Sequence, residues 1–263
     1  MKKIVTVLGA RPHLIKAAVL SRIIRQRGQI EEVMVHTGQH FDDNMSAIFF
    51  RELGIPSATY NLEVNKMGHG AMTGKMMEKL EPILIDENPD MVVVYGDTNS
   101  TLAGALVARK IGIPVAHVEA GLRSGNMNMP EEINRILTDR ISDLLFCPTS
   151  LAVDNLREEG FDSFGVRVMK TGDIMKDSVA YFQDSNEKSQ QQLNNLGIEE
   201  AGFVLATIHR QENTIDSEKL ASIFKGLDHI AEKTPVVMPL HPRTRAAMRE
   251  FGIKSKIHLI DPV

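Results

Sequence analysis

The stretch Pro89 to Arg123, PDMVVVYGDTNSTLAGALVARKIGIPVAHVEAGLR, decides the fold. Met91 to Tyr95 is a continuous, mostly β-branched apolar run that reads as a strand. Thr98 to Lys110 reads as a helix with Asn99 or Ser100 as cap, Gly112 ends it, and Pro114 to Val118 is apolar again. A strand, helix and strand in this order make a right-handed crossover with parallel strands, so Asp97 and Glu119 should emerge at one carboxyl edge of one sheet. Open α/β sheets bind ligands at that edge. Two carboxylates facing one crevice suggest acid/base chemistry.

Composition bounds what surrounds this unit. A chain of 263 residues allows one large or two modest domains, and a 43% hydrophobic share is ample for a buried core. The formal net charge of −4 gives no general reason to expect nucleic acid or an anionic membrane as partner. The one cysteine, Cys147 in DLLFCPT, rules out an intramolecular disulfide, fits a reducing compartment and reads as a small core residue. The apolar run of MKKIVTVLGARP is short, meets Arg11 and belongs to a strand, so neither a signal peptide nor a membrane span is expected. The expected location is cytoplasmic.

Toward the N-terminus, Ile4 to Leu8 is a buried-type strand followed by Gly9-Ala10-Arg11-Pro12 and a helix from about His13 to Arg27. This turn is a plausible anion site, with Arg11 at its mouth and Lys16 one turn inside. The bland reading, a surface Arg and Lys at a helix end, is slightly favoured for those two residues taken alone. The turn is not GxGxxG, and Gly74-Lys75 is followed by Met76, so a bound NAD or a P-loop nucleotide is disfavoured. Val33 to Thr37 is the next strand, and Gly38 to Asp42 leads into a helix through Leu53, which puts Gln39 and His40 at the binding edge. Tyr60 to Val64 is a short strand and Ala71 to Glu87 a helix. Its stripe of Met72, Met76, Met77, Leu80, Ile83 and Leu84 reads as core filling.

Beyond the central unit, PEEINRILTDR opens a helix with Pro130 at its first position. Glu131 and Glu132 in that first turn suit the helix dipole, the ordinary explanation. Because the helix follows the loop leaving Glu119, one of the two carboxylates could also point back into the crevice, and Arg135 could pair with one of them. Leu144 to Cys147 and Val166 to Lys170 are further strands with a helix between, and Thr171-Gly172-Asp173 again follows a strand end. Residues 1–172 then form one Rossmann-like domain. Residues 173–200 read as a connection, its polar stretch DSNEKSQQQLNNLGIEE having lost apolar periodicity. Residues 201–263 restart the α/β pattern: strands Phe203 to Ile208, Pro235 to Leu240 and Ile257 to Ile260, a helix from Ser217 to Glu232, and polar loops His209 to Asn213 and His241 to Arg243. That second domain stops short of the ~100 to 150 residues usual for its kind, so it is expected to be incomplete. The fold class is α/β with parallel sheets facing an interdomain cleft. Basic groups on one wall suit a diphosphate, and acidic groups on the other suit proton transfer.

The segments GARPHLIKAA, TGQHFD, YGDTNST, HVEAGLRSG, PEEINR, IHRQEN and HPR occur in order, and together they resemble the non-hydrolysing UDP-N-acetylglucosamine 2-epimerases. The resemblance implies a GT-B architecture of two Rossmann-like domains, a UDP-sugar in the cleft, no metal or nicotinamide cofactor, and a homodimer. It implies inversion at C2 of UDP-GlcNAc, giving UDP-ManNAc, by anti elimination of UDP and re-addition through a 2-acetamidoglucal, in supply of surface polysaccharide. By motif match Asp97, Glu119 and Glu131 carry over as acid/base carboxylates and His209 as the residue at the departing diphosphate. Arg11, Lys16, Arg135, Arg210, Asn213, His241 and Arg243 are the expected UDP and substrate contacts.

Three departures qualify the match. Ala10, His13 and the short loop GNMNMP look more like the branch acting on UDP-2,3-diacetamido-glucuronic acid. Gln39 and His40 match a region that binds a second, activating substrate, but Phe41-Asp42-Asp43 differs from its usual basic continuation. The chain ends at Val263, before a serine- and glycine-rich segment and a final helix of the family pattern. Competing readings are a hydrolysing relative that releases free ManNAc, a GT-B glycosyltransferase that needs an acceptor, and a non-catalytic UDP-sugar binder.

Overall fold

The computed structural model of the chain describes residues 1–39, 53–183, 191, 194–198, 202–208 and 210–261. It divides into two compact units, Met1–Phe182 and Gln183–Val263. The first carries strands β1 (Lys2–Leu8), β2 (Ile30–His36), β3 (Tyr60–Asn61), β4 (Met91–Tyr95), β5 (Val115–Val118), β6 (Leu144–Cys147) and β7 (Arg167–Lys170). They pair in the order β3-β2-β1-β4-β5-β6-β7, every pairing parallel. Chain order runs outward from β1 in one direction and then outward from β4 in the other. The switch falls between β1 and β4, where doubly wound sheets open a crevice at their carboxyl ends.

Helices α1 (Arg11–Arg27), α2 (His69–Glu87), α3 (Asn99–Lys110), α4 (Pro130–Ile141), α5 (Ser150–Glu158) and α6 (Ile174–Gln183) accompany this sheet. Both sheet faces are covered, which is why its central strands are apolar without interruption. Along β4, Val92 and Val94 pack with Met72, Met76, Leu80 and Leu84 of α2, while Val93 and Tyr95 pack with Leu14, Ala17 and Ala18 of α1. The methionine stripe of α2 is thus core, each buried large side chain contributing roughly 1.5 to 3 kcal/mol. Cys147 is also core, packed with Leu145 and Leu156, and burial pushes its thiol up to about 12.

The structure corrects some local expectations. The cap of α3 is Thr98, not Asn99 or Ser100: Thr98 and Thr101 form a reciprocal capping box. Within 173–200, α6 lays Ile174 and Phe182 against the first unit's core, and Arg22 of α1 stacks 3.1 Å from the Tyr181 ring centroid. The helix expected through Leu53 falls on residues 40–52, outside the described residues.

The second unit has three parallel strands in the order β10-β9-β8: β8 (Val204–Leu205), β9 (Val236–Pro239) and β10 (His258–Ile260). Helices α7 (Gln211–Thr214), α8 (Ser217–Ala231) and α9 (Pro242–Glu250) go with them. Leu220, Phe224, Val236, Met238 and Met248 form its core. The segments expected as polar loops therefore contain helix: residues 211–214 make one turn, and His241-Pro242-Arg243 is the start of α9. Among the described residues no helix is long and apolar enough to cross a membrane.

Candidate active site

The ends of β1, β2 and β4 converge at the sheet's switch point. A Cβ on Gly9 would lie 1.9 Å from Ser100 Oγ and 2.5 Å from Thr37 Oγ1, so only glycine fits after β1. Thr37 Oγ1 and Ser100 Oγ share a 2.8 Å hydrogen bond, and Gln39 Oε1 accepts from Ser100 N and Oγ at 3.1 and 2.7 Å. Gln39, expected at a ligand edge, thus holds the first turn of α3. Its neighbour His40 lies outside the described residues.

Gly96, with φ +62°, turns the chain from β4 toward α3. A Cβ there would stand 3.3 Å from Glu119 Oε2, 3.6 Å from Lys16 Nζ and 3.7 Å from His13 Nε2. The turn bearing Asp97 therefore lies against Glu119, Lys16 and His13. Glu119 itself holds φ +74°, a left-handed conformation costly for a side-chain-bearing residue. Its N–H donates to the Phe146 carbonyl at 3.0 Å, which fixes it just beyond β5.

Asp97 and Glu119 each have a cation. Lys16, its side chain 9% exposed, donates to Glu119 Oε2. Arg135 of α4 donates through Nη2 to Asp97 Oδ2 and through Nη1 to Glu132 Oε2, the latter at 2.7 Å. Asn134 Nδ2 donates to the Asp97 carbonyl at 2.9 Å. Of the PEE pair, Glu132 is the one that turns inward: it is 1% exposed and accepts from Ser124 N at 3.0 Å and Gly125 N at 2.9 Å. Burial pushes its carboxyl up, but the backbone donors of Ser124 and Gly125 and the nearby Arg135 outweigh burial and hold it below the usual carboxylate range. Glu131 is exposed on the first turn of α4.

Arg11 is half-buried at the first residue of α1. Beside Glu119 opens a cavity of about 250 Å³ bounded by Val19 and Ile23 of α1, Phe146, Thr171 and Asp173. The strand-end residues 171–173 thus reach the same edge as Glu119.

In the second unit Arg210 is exposed and lies 3.7 Å from Glu212, while Asn213 is half-buried. His241 caps α9, its Nδ1 accepting from Arg243 N at 3.1 Å, and Arg243 is exposed. The strand expected over Phe203 to Ile208 is confined to β8, Val204–Leu205, and Thr244 Oγ1 donates to the Ile208 carbonyl, tying the segment that follows β8 to α9. His209 lies outside the described residues. The structure brings Asp97, Glu119, Lys16 and Arg135 to one edge of the first unit. Of the two carboxylates that the sequence left open for the crevice and for Arg135, the structure selects Glu132. Asn134, which also lies in PEEINR and donates to the Asp97 carbonyl, has no signal in the sequence that singles it out.

The fold and this edge define an α/β protein of GT-B type with Rossmann-like parallel sheets. A likeness to the Streptomyces sp. SF2575 glycosyltransferase SsfS6, complexed with thymidine diphosphate, agrees at the level of fold, with TM-score 0.54 at 14% identity over 100% of this chain and 72% of that one. The family model described as UDP-N-acetylglucosamine 2-epimerase matches residues 22–263. The Pseudomonas aeruginosa UDP-2,3-diacetamido-2,3-dideoxy-D-glucuronate 2-epimerase is 51% identical over 263 residues, 99% of this chain and 73% of that protein. The crystal structure of Methanocaldococcus jannaschii UDP-GlcNAc 2-epimerase in complex with UDP-GlcNAc and UDP matches with TM-score 0.85 at 41% identity, covering 99% of this chain and 74% of that one. The chain belongs to the UDP-N-acetylglucosamine 2-epimerase family, a family of isomerases acting on UDP-sugars.

Proposed function

We propose that the chain is a non-hydrolysing UDP-N-acetylglucosamine 2-epimerase that interconverts UDP-GlcNAc and UDP-ManNAc. The observation that carries this reading is the Gly96 edge, where the turn that bears Asp97 lies against Glu119 and each of the two carboxylates is held by a cation. The hydrogen at C2 of the sugar has no carbonyl beside it. Removing it requires either a neighbouring oxidation or the simultaneous departure of a good leaving group, and UDP is such a group. A carboxylate takes the C2 proton, the C–H electrons become the C1=C2 double bond, and the anomeric C–O bond breaks with its electrons leaving on UDP. The intermediate is a 2-acetamidoglucal. A UDP oxygen then re-forms the bond to C1 while a second acid delivers a proton to the opposite face of C2.

In this reading Asp97, Glu119 and Glu131 share the acid/base work, and His209 gives a proton to the departing phosphate oxygen. Arg11, Arg210, Asn213, His241 and Arg243 hold the UDP. Lys16 and Arg135 keep their carboxylates in register with substrate and are within reach of its phosphates. The protein works in the cytoplasm as a homodimer and feeds surface polysaccharide synthesis. Dimerisation is supported by the exposed apolar row Met129, Ile133 and Leu137 at the start and outer side of α4.

A second substrate reading, UDP-2,3-diacetamido-glucuronate with the same chemistry, is favoured by Ala10 and His13 and by the 51% identical relative. Incubation of the protein with either UDP-sugar in deuterated water tests both. Deuterium entering C2 together with an equilibrium of two UDP-sugars is expected, and the ratio of kcat/KM values selects the substrate. Free ManNAc would indicate the hydrolysing relative, and product only with an added acceptor would indicate a glycosyltransferase. UDP binding without exchange into either sugar would leave a nucleotide-sugar binder.

A further inference from the structure

Beneath the Gly96 edge lies a buried polar chain that the chemistry above does not use. His117 on β5 and Asp139 on α4 are both 0% exposed. His117 Nε2 stands 2.7 Å from the Gly96 carbonyl, and Nδ1 stands 2.6 Å from Asp139 Oδ1. A carbonyl only accepts, so Nε2 donates to Gly96. Asp139 Oδ2 already accepts from Arg123 Nη1 at 2.7 Å and Gly121 N at 3.1 Å, the pattern of an ionised carboxylate, so Nδ1 donates as well. Arg123 in turn grips Glu159 through two bonds of 2.6 and 2.8 Å.

Two contacts of this chain are to backbone, at the Gly96 carbonyl and the Gly121 N–H, and its members flank the site residues in sequence. Gly96 immediately precedes Asp97, His117 precedes Glu119 by two positions, and Gly121 follows Glu119 by two. Asp139 lies one helical turn beyond Arg135, the counter-ion of Asp97. The imidazole is therefore a strut between the turn that carries Asp97 and the strand that carries Glu119, and Asp139 fixes the ring's orientation while holding the far side of the Glu119 bend. Hydrogen bonds in so dry a place are directional and costly to leave half-made.

We infer that His117 and Asp139 are positioning residues that set the separation of the Asp97 and Glu119 carboxylates for proton transfer at the two faces of the sugar. The inference rests on the epimerase reading. If the strut were only a stability element, its loss would lower the folded fraction but leave turnover per folded molecule unchanged. If it sets geometry, a displacement on the order of 1 Å costs about a hundredfold in rate.

The experiment compares the wild-type protein, Asp139→Asn, which is nearly isosteric, and His117→Gln. Wild-type turnover of UDP-GlcNAc or its diacetamido analogue is measured first, so that failure of the epimerase reading is seen separately. In folded variants kcat is expected to fall about tenfold to a hundredfold, while KM and the affinity for UDP stay within about threefold. Amide hydrogen exchange supplies a readout that needs no activity: protection should be lost selectively at residues 97–101 and 119–121 while the β1 and β2 amides keep theirs. Wild-type kcat in a folded Asp139→Asn or His117→Gln protein, or uniform loss of protection across the first unit, would overturn the inference. If His117→Gln does not fold, Asp139→Asn decides alone, and if neither folds the two residues are structural and the inference fails.

Discussion

Lys16, on the second turn of α1, places its ammonium on the Glu119 carboxylate and joins two elements 103 positions apart in the chain. The pair is asymmetric, with side chains 9% and 23% exposed, so the lysine loses more solvation than the glutamate. Removing one partner strands the other. Glu119→Gln should therefore cost more stability than Lys16→Met, with the larger loss about 2 kcal/mol after allowance for solvent at Glu119. The double variant should recover part of that loss. Urea unfolding of the four proteins gives the coupling, and a value below about 0.5 kcal/mol would show that the pair contributes nothing beyond its two separate parts.

Glu132 makes a prediction about acid. Burial raises its carboxyl, and the donors Ser124 N and Gly125 N with Arg135 nearby more than reverse that, so the folded-state value lies below the ordinary 4.5. A depressed carboxyl contributes stability above its unfolded value, and the contribution disappears as pH falls through the folded value. Glu132→Gln should accordingly be less stable than the parent by about 2 kcal/mol at neutral pH, since the exchange removes charge-assisted bonds to buried donors. That gap should narrow as pH drops below about 4.5. Urea midpoints at several pH values measure it, and a gap that stays constant down to acid would mean that the charge on Glu132 is not what holds the 124–125 loop.

Much of this architecture could be read locally. The strand Met91–Tyr95 coincides with its apolar run, and the switch-point turns are marked by Gly9 and Gly96, because strand periodicity and glycine are short-range signals. The capping box of α3 was also legible, as Thr98 and Thr101 have the required spacing, but Asn99 and Ser100 are equally good caps on propensity. Helix α9 was overlooked because PRTRAAMRE has few apolar residues, and its capping signal consists of His241 and Pro242 alone. Other features are not local at all. Whether Glu131 or Glu132 faces inward depends on where the 124–125 loop returns. The meeting of His117 with Asp139 spans 22 positions and requires that β5 and α4 already be packed.

The backbone at Glu119 tests whether function strains the fold. With φ +74° the residue sits where a Cβ is penalised by about 1 to 2 kcal/mol, whereas glycine is not. Glu119→Ala and Glu119→Gly both delete the carboxylate and both strand Lys16, so their difference isolates the backbone. At an ordinary strand end the glycine variant would be the weaker by about 0.5 to 1 kcal/mol. Here it should be the more stable by about 1 kcal/mol, with both variants inactive. Denaturant midpoints decide the sign, and an alanine variant that is the more stable would mean that the left-handed conformation carries no strain.

Tyr95 offers the opposite case, a polar group that the core does not use. The side chain is fully buried at the end of β4, and its hydroxyl has no hydrogen-bond partner among the described residues. Its backbone is secured independently, since Thr101 Oγ1 donates to the Tyr95 carbonyl at 2.6 Å. Burying an unpartnered hydroxyl costs roughly 1 to 3 kcal/mol, and Tyr95→Phe removes it while keeping the ring that packs beside Val93 and Leu8. The phenylalanine variant should therefore match or exceed the parent by up to about 1 kcal/mol in urea unfolding. It should also keep its turnover, because the hydroxyl faces the core while Asp97 and Glu119 are held by Arg135 and Lys16. A loss of more than about 1 kcal/mol would mean that the hydroxyl bonds a group inside the fold, and the polar network at the switch point would then extend through β4 into the core.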